Sequence, residues 1–173
     1  MGQITITQGN IVNLEVDAIV NAANTSLLGG GGVDGAIHQA AGSELVNQCS
    51  KLGGCKTGEA KITPGYNLSA RYVIHTVGPI WSGGDKDEAQ LLASCYQSSL
   101  ELAHQHAIKT IAFPAISSGV YAYPVEQSAQ IALQSLNKGL QLFTGIREVI
   151  CVCFNPQVLT AYQQAYQSLQ RQE

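Results

Sequence analysis

The sequence is short of positive charge: 9 Lys and Arg stand against 12 Asp and Glu in 173 residues, for a formal net charge of −3. The basic residues form no run, so duplex nucleic acid is not an expected partner. No apolar stretch approaches the length of a membrane span. The chain begins with alternating Ile4-Thr5-Ile6-Thr7, without the charged lead and greasy segment of a signal peptide, and Ile6 stands where a myristoylation signal needs Ser or Thr. A cytoplasmic protein with no membrane partner is expected. The five cysteines, Cys49, Cys55, Cys95, Cys151 and Cys153, are odd in number and form no CxxC. That argues against a disulfide framework or a zinc ribbon and for buried, reduced thiols. There is no HExxH and no Asp/Glu/His cluster at metal-ligand spacing, so neither a metal nor a cofactor is expected.

What the chain does have is apolar residues, 45% of the total, and no repeat, low-complexity tract or linker dividing them. One domain over 1–173 with a sizeable core follows. Strand-like runs occur at Ile4–Thr7, Ala18–Ala22, Ala60–Thr63, Tyr72–Val77, Thr110–Pro114 and Val149–Phe154. Several are nearly continuous apolar runs, as strands buried on both faces require. Helical periodicity lies between them. One face is Val33, Ala36, Ile37, Ala40 and Ala41; a second begins Leu92, Cys95, Tyr96 and Ala103. A third runs from Val125 through Leu140, opened by Pro124 in its first turn, and the last from Val158 to Leu169, with Asn155 as N-cap. The alternation predicts an α/β fold, a three-layer α/β/α sandwich around a mostly parallel mixed sheet of about six strands.

In open α/β sheets, ligands bind beyond the carboxyl ends of the strands. The polar and flexible residues gather there: Gly9-Asn10-Ile11, Asn21-Ala22-Ala23-Asn24, Gly29-Gly30-Gly31-Gly32, Ala115 to Tyr121, and Phe154-Asn155. The glycine run ahead of a helix can turn several N–H groups toward one ligand, and the helix points its positive end the same way, which suits a phosphate or pyrophosphate. No Lys or Arg lies in these loops, so backbone N–H groups and the helix dipole would do the holding. Asp34 falls in the first turn of that helix. It can simply complement the helix dipole, but a carboxylate beside a phosphate cradle reads better as a catalytic or hydroxyl-binding group. His38, at i+4, reads as a packed helix histidine within reach of Asp34. Asn21 and Asn24 offer donors and acceptors suited to sugar hydroxyls, or ordinary turn chemistry.

Two motifs almost fit. Gly30-x-Gly32-x-x-Gly35 matches a dinucleotide fingerprint but does not directly follow its strand, and no acidic ribose partner stands near position 50. Ala115-x-Ser117-x-Gly119 resembles a nucleophile elbow, yet no His follows His106 and no Asp follows Asp87. A serine hydrolase would need both partners downstream. The Ser117-Ser118-Gly119 segment reads instead as a second anion loop facing the first.

Taken together, Val16-Asp17-Ala18-Ile19-Val20-Asn21-Ala22-Ala23-Asn24, Gly29 to His38, His75-Thr76-Val77-Gly78-Pro79 and Phe113 to Tyr121 closely resemble a macrodomain of the MacroD type. The likeness covers essentially the whole chain and is nearest to the small bacterial O-acetyl-ADP-ribose deacetylases. It implies that ADP-ribose and its O-acyl esters, and also ADP-ribosylated proteins, are the partners. It places Asn24 on the distal ribose and Asp34 as the group that activates or positions water. Gly31, Gly32 and Val33 would cradle the pyrophosphate from one side, with Ser117, Ser118, Gly119, Val120 and Tyr121 on the other. Asn10, Ile11, Phe154 and Asn155 would receive the adenine, with Asn21 among the ligand-binding residues. The sequence departs from the pattern twice. Asn10 stands where the family usually has an Asp accepting from the adenine amino group, which keeps an acceptor oxygen but loses the charge and predicts weaker adenine binding. Ala122 stands where Gly is common. The expected activity is metal-independent hydrolysis of an ester on the distal ribose. The rivals are a non-catalytic ADP-ribose reader and a nucleotide-dependent oxidoreductase.

Overall fold

The computed structural model describes residues 1–172. The strands are β1 (Gln3–Gln8), β2 (Ala18–Ala23), β3 (Ala60–Pro64), β4 (Tyr72–Val77), β5 (Thr110–Pro114) and β6 (Glu148–Cys153). They form one six-stranded sheet in the order β1-β6-β5-β2-β4-β3. Every pairing is parallel except that of edge strand β3 with β4. The helices are α1 (Gly32–Ala41), α2 (Ser43–Ser50), α3 (Glu88–Gln105), α4 (Val125–Leu142) and α5 (Pro156–Arg171), with a short 3-10 turn at Ile11–Asn13. All six expected strands are present, with ends shifted by a residue or so; Phe154 lies just beyond β6.

Strand alternation assigns each side chain to one of two cores. Ala18, Val20 and Ile74 face the layer of α3, α4 and α5, where Leu92, Leu100, Leu133, Leu136 and Tyr162 pack. Ile19, Ala23, Val73 and Val77 face α1 and α2, against Ile37, Ala41, Leu45 and Cys49. Asn21 and His75 fall on the same face as the second set, so both side chains lie under α1. The parallel register makes them direct neighbours. The three-layer sandwich is as expected.

Helix α2 is absent from the sequence-based expectation. Gly42, at φ 92°, breaks the chain between Ala41 and Ser43, so the periodicity of α1 stops and a short segment starts in a new direction. Pro124 precedes α4 as its N-cap residue rather than lying in its first turn. Asn155 caps α5 as expected, its side chain accepting from the Val158 N–H at 2.9 Å.

Candidate functional site

Because β1, β2, β4, β5 and β6 run in parallel, the segments leaving them meet at one edge of the sheet. Asp34 is the chemical centre of that edge. It is 5% exposed and lies in the first turn of α1. Its Oδ1 accepts from Asn21 Nδ2 at 2.9 Å. Its Oδ2 has no protein partner among the described residues and lies where a Cβ on Gly30 would meet it at 3.1 Å, with Asn24 Nδ2 at 3.4 Å. One carboxylate oxygen is held from behind, and the other faces the glycine loop.

The support behind Asp34 is a buried polar chain. Asn21 Nδ2 also lies 3.2 Å from His75 Nδ1, and His75 Nε2 lies 2.9 Å from Thr63 Oγ1. An amide nitrogen can only donate, so Nδ1 of His75 is the bare nitrogen and Nε2 carries the proton toward Thr63. Burial pushes the His75 pKa down to about 3, with His38 contributing less, which keeps the ring neutral and able to accept. Asn21 is thus corrected in role. It has no exposed surface, and its carboxamide is engaged with a carboxylate rather than offered to a sugar. Its Oδ1 is buried without a protein partner, a cost the fold tolerates in order to present the NH₂ to Asp34. His75 carries no role in the sequence reading beyond its motif. Only the non-sequential pairing of β2 with β4 reveals its position.

His38 Nε2 lies 3.4 Å from Asp34 Oδ1 but is not aligned for a hydrogen bond, and both its ring nitrogens are buried without partners. Cys49 Sγ lies 3.8 Å from His75 Nε2, the one approach to a Cys–His pair near the site. Burial first, and Asp34 second, push the Cys49 thiol up to about 11. Both residues have no exposed surface, so this sulfur is not a nucleophile for an external substrate.

The glycine loop is stapled by Asn24. Its Oδ1 accepts from Ser26 N, Ser26 Oγ and Leu27 N at 3.1, 2.6 and 3.1 Å, and its Nδ2 donates to the Gly29 carbonyl at 2.9 Å. This carboxamide fixes the loop, leaving one N–H for anything beyond it. Gly31 is the N-cap residue of α1 with no side-chain cap. Gly31 and Gly32 are exposed, and Val33 is half-buried. The first N–H groups of α1 therefore face outward without a side-chain acceptor, as an anion cradle requires.

The second loop, residues 115–121, leaves β5 and is built differently. Ser117 is buried, with its Oγ donating to the Pro79 carbonyl at 2.8 Å, and Ser118 Oγ donates to Ala115 at 2.8 Å. Both hydroxyls hold the loop's shape, leaving its main chain to meet a ligand. Gly119 is exposed, Tyr121 is half-buried, and Val120 is 93% exposed. A brace that sequence reasoning missed stands behind Tyr121, whose carbonyl accepts from the Trp81 N–H at 2.9 Å. The Trp81 ring packs on Tyr123 at 4.7 Å. The 82–86 turn is tied by Glu88, which accepts from the N–H groups of Ser82, Gly84 and Lys86 at 2.8, 2.9 and 2.6 Å. Those bonds, Ser82's foremost, hold the Glu88 pKa down at about 2. Ala122 sits at φ 61°, in the left-handed region where a Cβ is strained. Ala122→Gly is expected to raise unfolding stability by about 0.5–1 kcal/mol, read as a higher urea midpoint at unchanged slope; a lower midpoint would contradict the strain.

At the far end, Phe154 is 87% exposed just past β6. Asn10 and Asn155 are near it, and each uses its side-chain oxygen as a cap. Ile11 gives its side chain to the core, at 3% exposure. Among the described residues no group of three or more His, Cys, Asp or Glu converges as a metal site, and no helix is long and apolar enough to cross a membrane.

Comparison with known proteins agrees with this arrangement. The macro domain family model matches residues 20–132. A macro domain-containing protein of Chlorobaculum tepidum is 61% identical over 158 residues, covering 91% of this chain and 92% of that protein. An ADP-ribose glycohydrolase, MACROD2, of Xenopus laevis is 59% identical over 140 residues, 80% of this chain but 34% of that longer protein. An Oceanobacillus iheyensis macrodomain variant solved with ADPR superimposes with a TM-score of 0.92 at 43% identity, covering 96% of this chain and 92% of that one. A Trypanosoma brucei macrodomain in complex with ADP-ribose superimposes with a TM-score of 0.88 at 42% identity, covering 93% and 68%. By sequence over most of its length, and by fold, this chain belongs to the macro domain family.

Proposed function

We propose that the chain binds ADP-ribose and hydrolyses an ester on its distal ribose. The observation that carries this reading is the division of labour at Asp34, with Oδ1 held by Asn21 at 2.9 Å and Oδ2 free beside the glycine loop. A carboxylate fixed at one oxygen and bare at the other suits a general base or water-orienting group. Water attacks the ester carbonyl and Asp34 Oδ2 takes its proton. N–H groups of the Gly29–Gly32 segment stabilise the oxyanion, and its collapse breaks the ester bond, Asp34 returning the proton to the leaving ribose oxygen, to give the ribose hydroxyl and a carboxylic acid. Asn24 fixes the sugar, supplying proximity. No metal enters this reading. O-acetyl-ADP-ribose and ADP-ribosylated Asp or Glu side chains share the chemistry. The glycohydrolase relative and the ADP-ribose-bound neighbour support ADP-ribose binding and hydrolase activity in general. A reader module is the weaker reading, because binding alone does not call for a buried, braced carboxylate. We take residues 1–173 as one functional unit and the cytoplasm as its compartment, a reading supported by five free, buried cysteines.

The test is calorimetric titration with ADP-ribose, followed by turnover of O-acetyl-ADP-ribose and of a mono-ADP-ribosylated protein on the same sample. Binding without turnover of either leaves only the reader. The same titration at low and high salt is expected to give affinities within a few-fold. The loops bring no Lys or Arg, and contacts to backbone N–H groups are screened far less than exposed ion pairs. A steep loss of affinity with salt would mean that side-chain cations hold the phosphates.

A further inference from the structure

We infer that Glu88 is a positioning residue for the ligand: its carboxylate fixes the 79–86 segment against the second loop, and so sets how firmly the 117–121 main chain holds the diphosphate. This rests on the ADP-ribose reading above, which puts that main chain on the diphosphate. The second loop carries strain of its own. Ser117 at φ 66° and Ala122 at φ 61° both lie in the left-handed region without being glycine. Residues in such conformations persist only where their surroundings over-determine them.

The 78–81 segment supplies that support from outside the loop. The Pro79 carbonyl accepts from Ser117 Oγ at 2.8 Å, and Gly78 lies so close that a Cβ there would collide with the same oxygen. The Trp81 N–H donates to the Tyr121 carbonyl at 2.9 Å, and its ring packs on Tyr123 at 4.7 Å. Yet this segment runs straight into an exposed turn in which Gly83 and Gly84 sit at φ 98° and 94°. Glycines leave such a turn many alternatives. Glu88 removes them. It is 1% exposed, and its one carboxylate accepts from Ser82, Gly84 and Lys86. Bonds to a charged acceptor are about twice as strong as neutral ones. Ser82 is the residue next to Trp81, and Gly84 is brought onto the Trp81 ring, where a Cβ would lie 3.0 Å from Cη2. Contacts therefore run unbroken from Glu88 through the turn and Trp81 to Tyr121 and Tyr123, while Asp34, Asn21 and Asn24 take no part in them.

The experiment compares the full chain with Glu88→Ala. ADP-ribose affinity is measured by calorimetry, O-acetyl-ADP-ribose turnover by kcat and KM, and order by amide exchange. The N–H groups freed by this change lie in an exposed turn that water reaches, so the fold should survive. Kd and KM are expected to rise about tenfold with kcat within about threefold, the pattern of lost uniform binding. Amide exchange should quicken in 117–123 and stay as in the parent in α1 and residues 29–33. Gly84→Ala, which presses a methyl group on the Trp81 ring from the exposed turn, should shift Kd and KM in the same direction, and it decides the matter if Glu88→Ala fails to fold. Affinity within about twofold of the parent in a folded variant overturns the inference. So does a fall in kcat as large as the rise in KM, with exchange quickened throughout the chain, because that is general loosening. A parent that binds no ADP-ribose overturns the ADP-ribose reading, and this inference with it.

Discussion

Asp34→Ala is expected to lower turnover of O-acetyl-ADP-ribose by on the order of 10²-fold or more, the usual contribution of a positioned general base. Affinity for ADP-ribose should stay within a few-fold, because in the proposed binding mode main-chain N–H groups hold the diphosphate and other loops receive the base, and it can improve once a carboxylate beside the phosphates is gone. The structure adds a stability cost. Alanine leaves unpaired the one N–H of Asn21 Nδ2 that now reaches Oδ1 at 2.9 Å, the other still reaching His75, and an unpaired donor in a buried site costs about 1–3 kcal/mol. Asp34→Asn is therefore the necessary companion: it keeps the shape and an oxygen for Asn21 but cannot take a proton. Both variants should lose rate alike, while Asp34→Asn retains more stability. Turnover within a few-fold of the parent in either would remove Asp34 from the chemistry. Equal loss of affinity and rate would make it a ligand-binding group with no special part in the transition state.

The architecture was largely legible because the strands are long apolar runs and the helices carry unbroken apolar faces. Residues such as Val73, Ile74, Ile111 and Leu133 leave no choice of partner but the core. The loops were legible for a different reason: glycines, asparagines and serines following strands are turn and ligand chemistry wherever they stand. What the chain could not disclose were relations between elements distant in sequence. Asn21 reads as a sugar contact until β2 is placed beside β4 and its amide is seen to serve Asp34. Glu88 carries no reading in the sequence, because the turn it ties is seen only when the 82–86 segment is folded back onto it. Asn10 reads as an acceptor for a ligand until its oxygen is found to accept already from the Val12 N–H. In each case the side chain's type was evident and its partner was not. A hydrogen-bonding group has several possible partners, and the fold selects one.

The buried chain behind Asp34 has a consequence for acid stability. His75 is neutral in the fold, with burial holding its pKa down at about 3, against an ordinary 6.5. Once unfolded, the ring is free to protonate. The unfolded state therefore binds more protons than the native state at any pH between those two values, and stability falls as pH drops through that window. The contribution is fully present above about pH 6.5. By pH 5 the loss reaches about 2 kcal/mol, from 1.36 kcal/mol per unit over roughly 1.5 units. The bonds to Glu88 are lost only at lower pH, between the group's ordinary 4.5 and about 2, so a comparison of pH 7 with pH 5 leaves Glu88 out, and the contrast with a His75 variant removes the other histidines. The measurement is urea unfolding at the two pH values for the parent and for His75→Gln, whose amide can accept from Asn21 and donate to Thr63 but does not titrate. The variant can start lower at pH 7. Its loss between pH 7 and pH 5 should be smaller than the parent's by about 2 kcal/mol. Equal losses in the two proteins would mean that His75 is not held neutral, and that the ring cannot be the acceptor that orients Asn21 beneath Asp34.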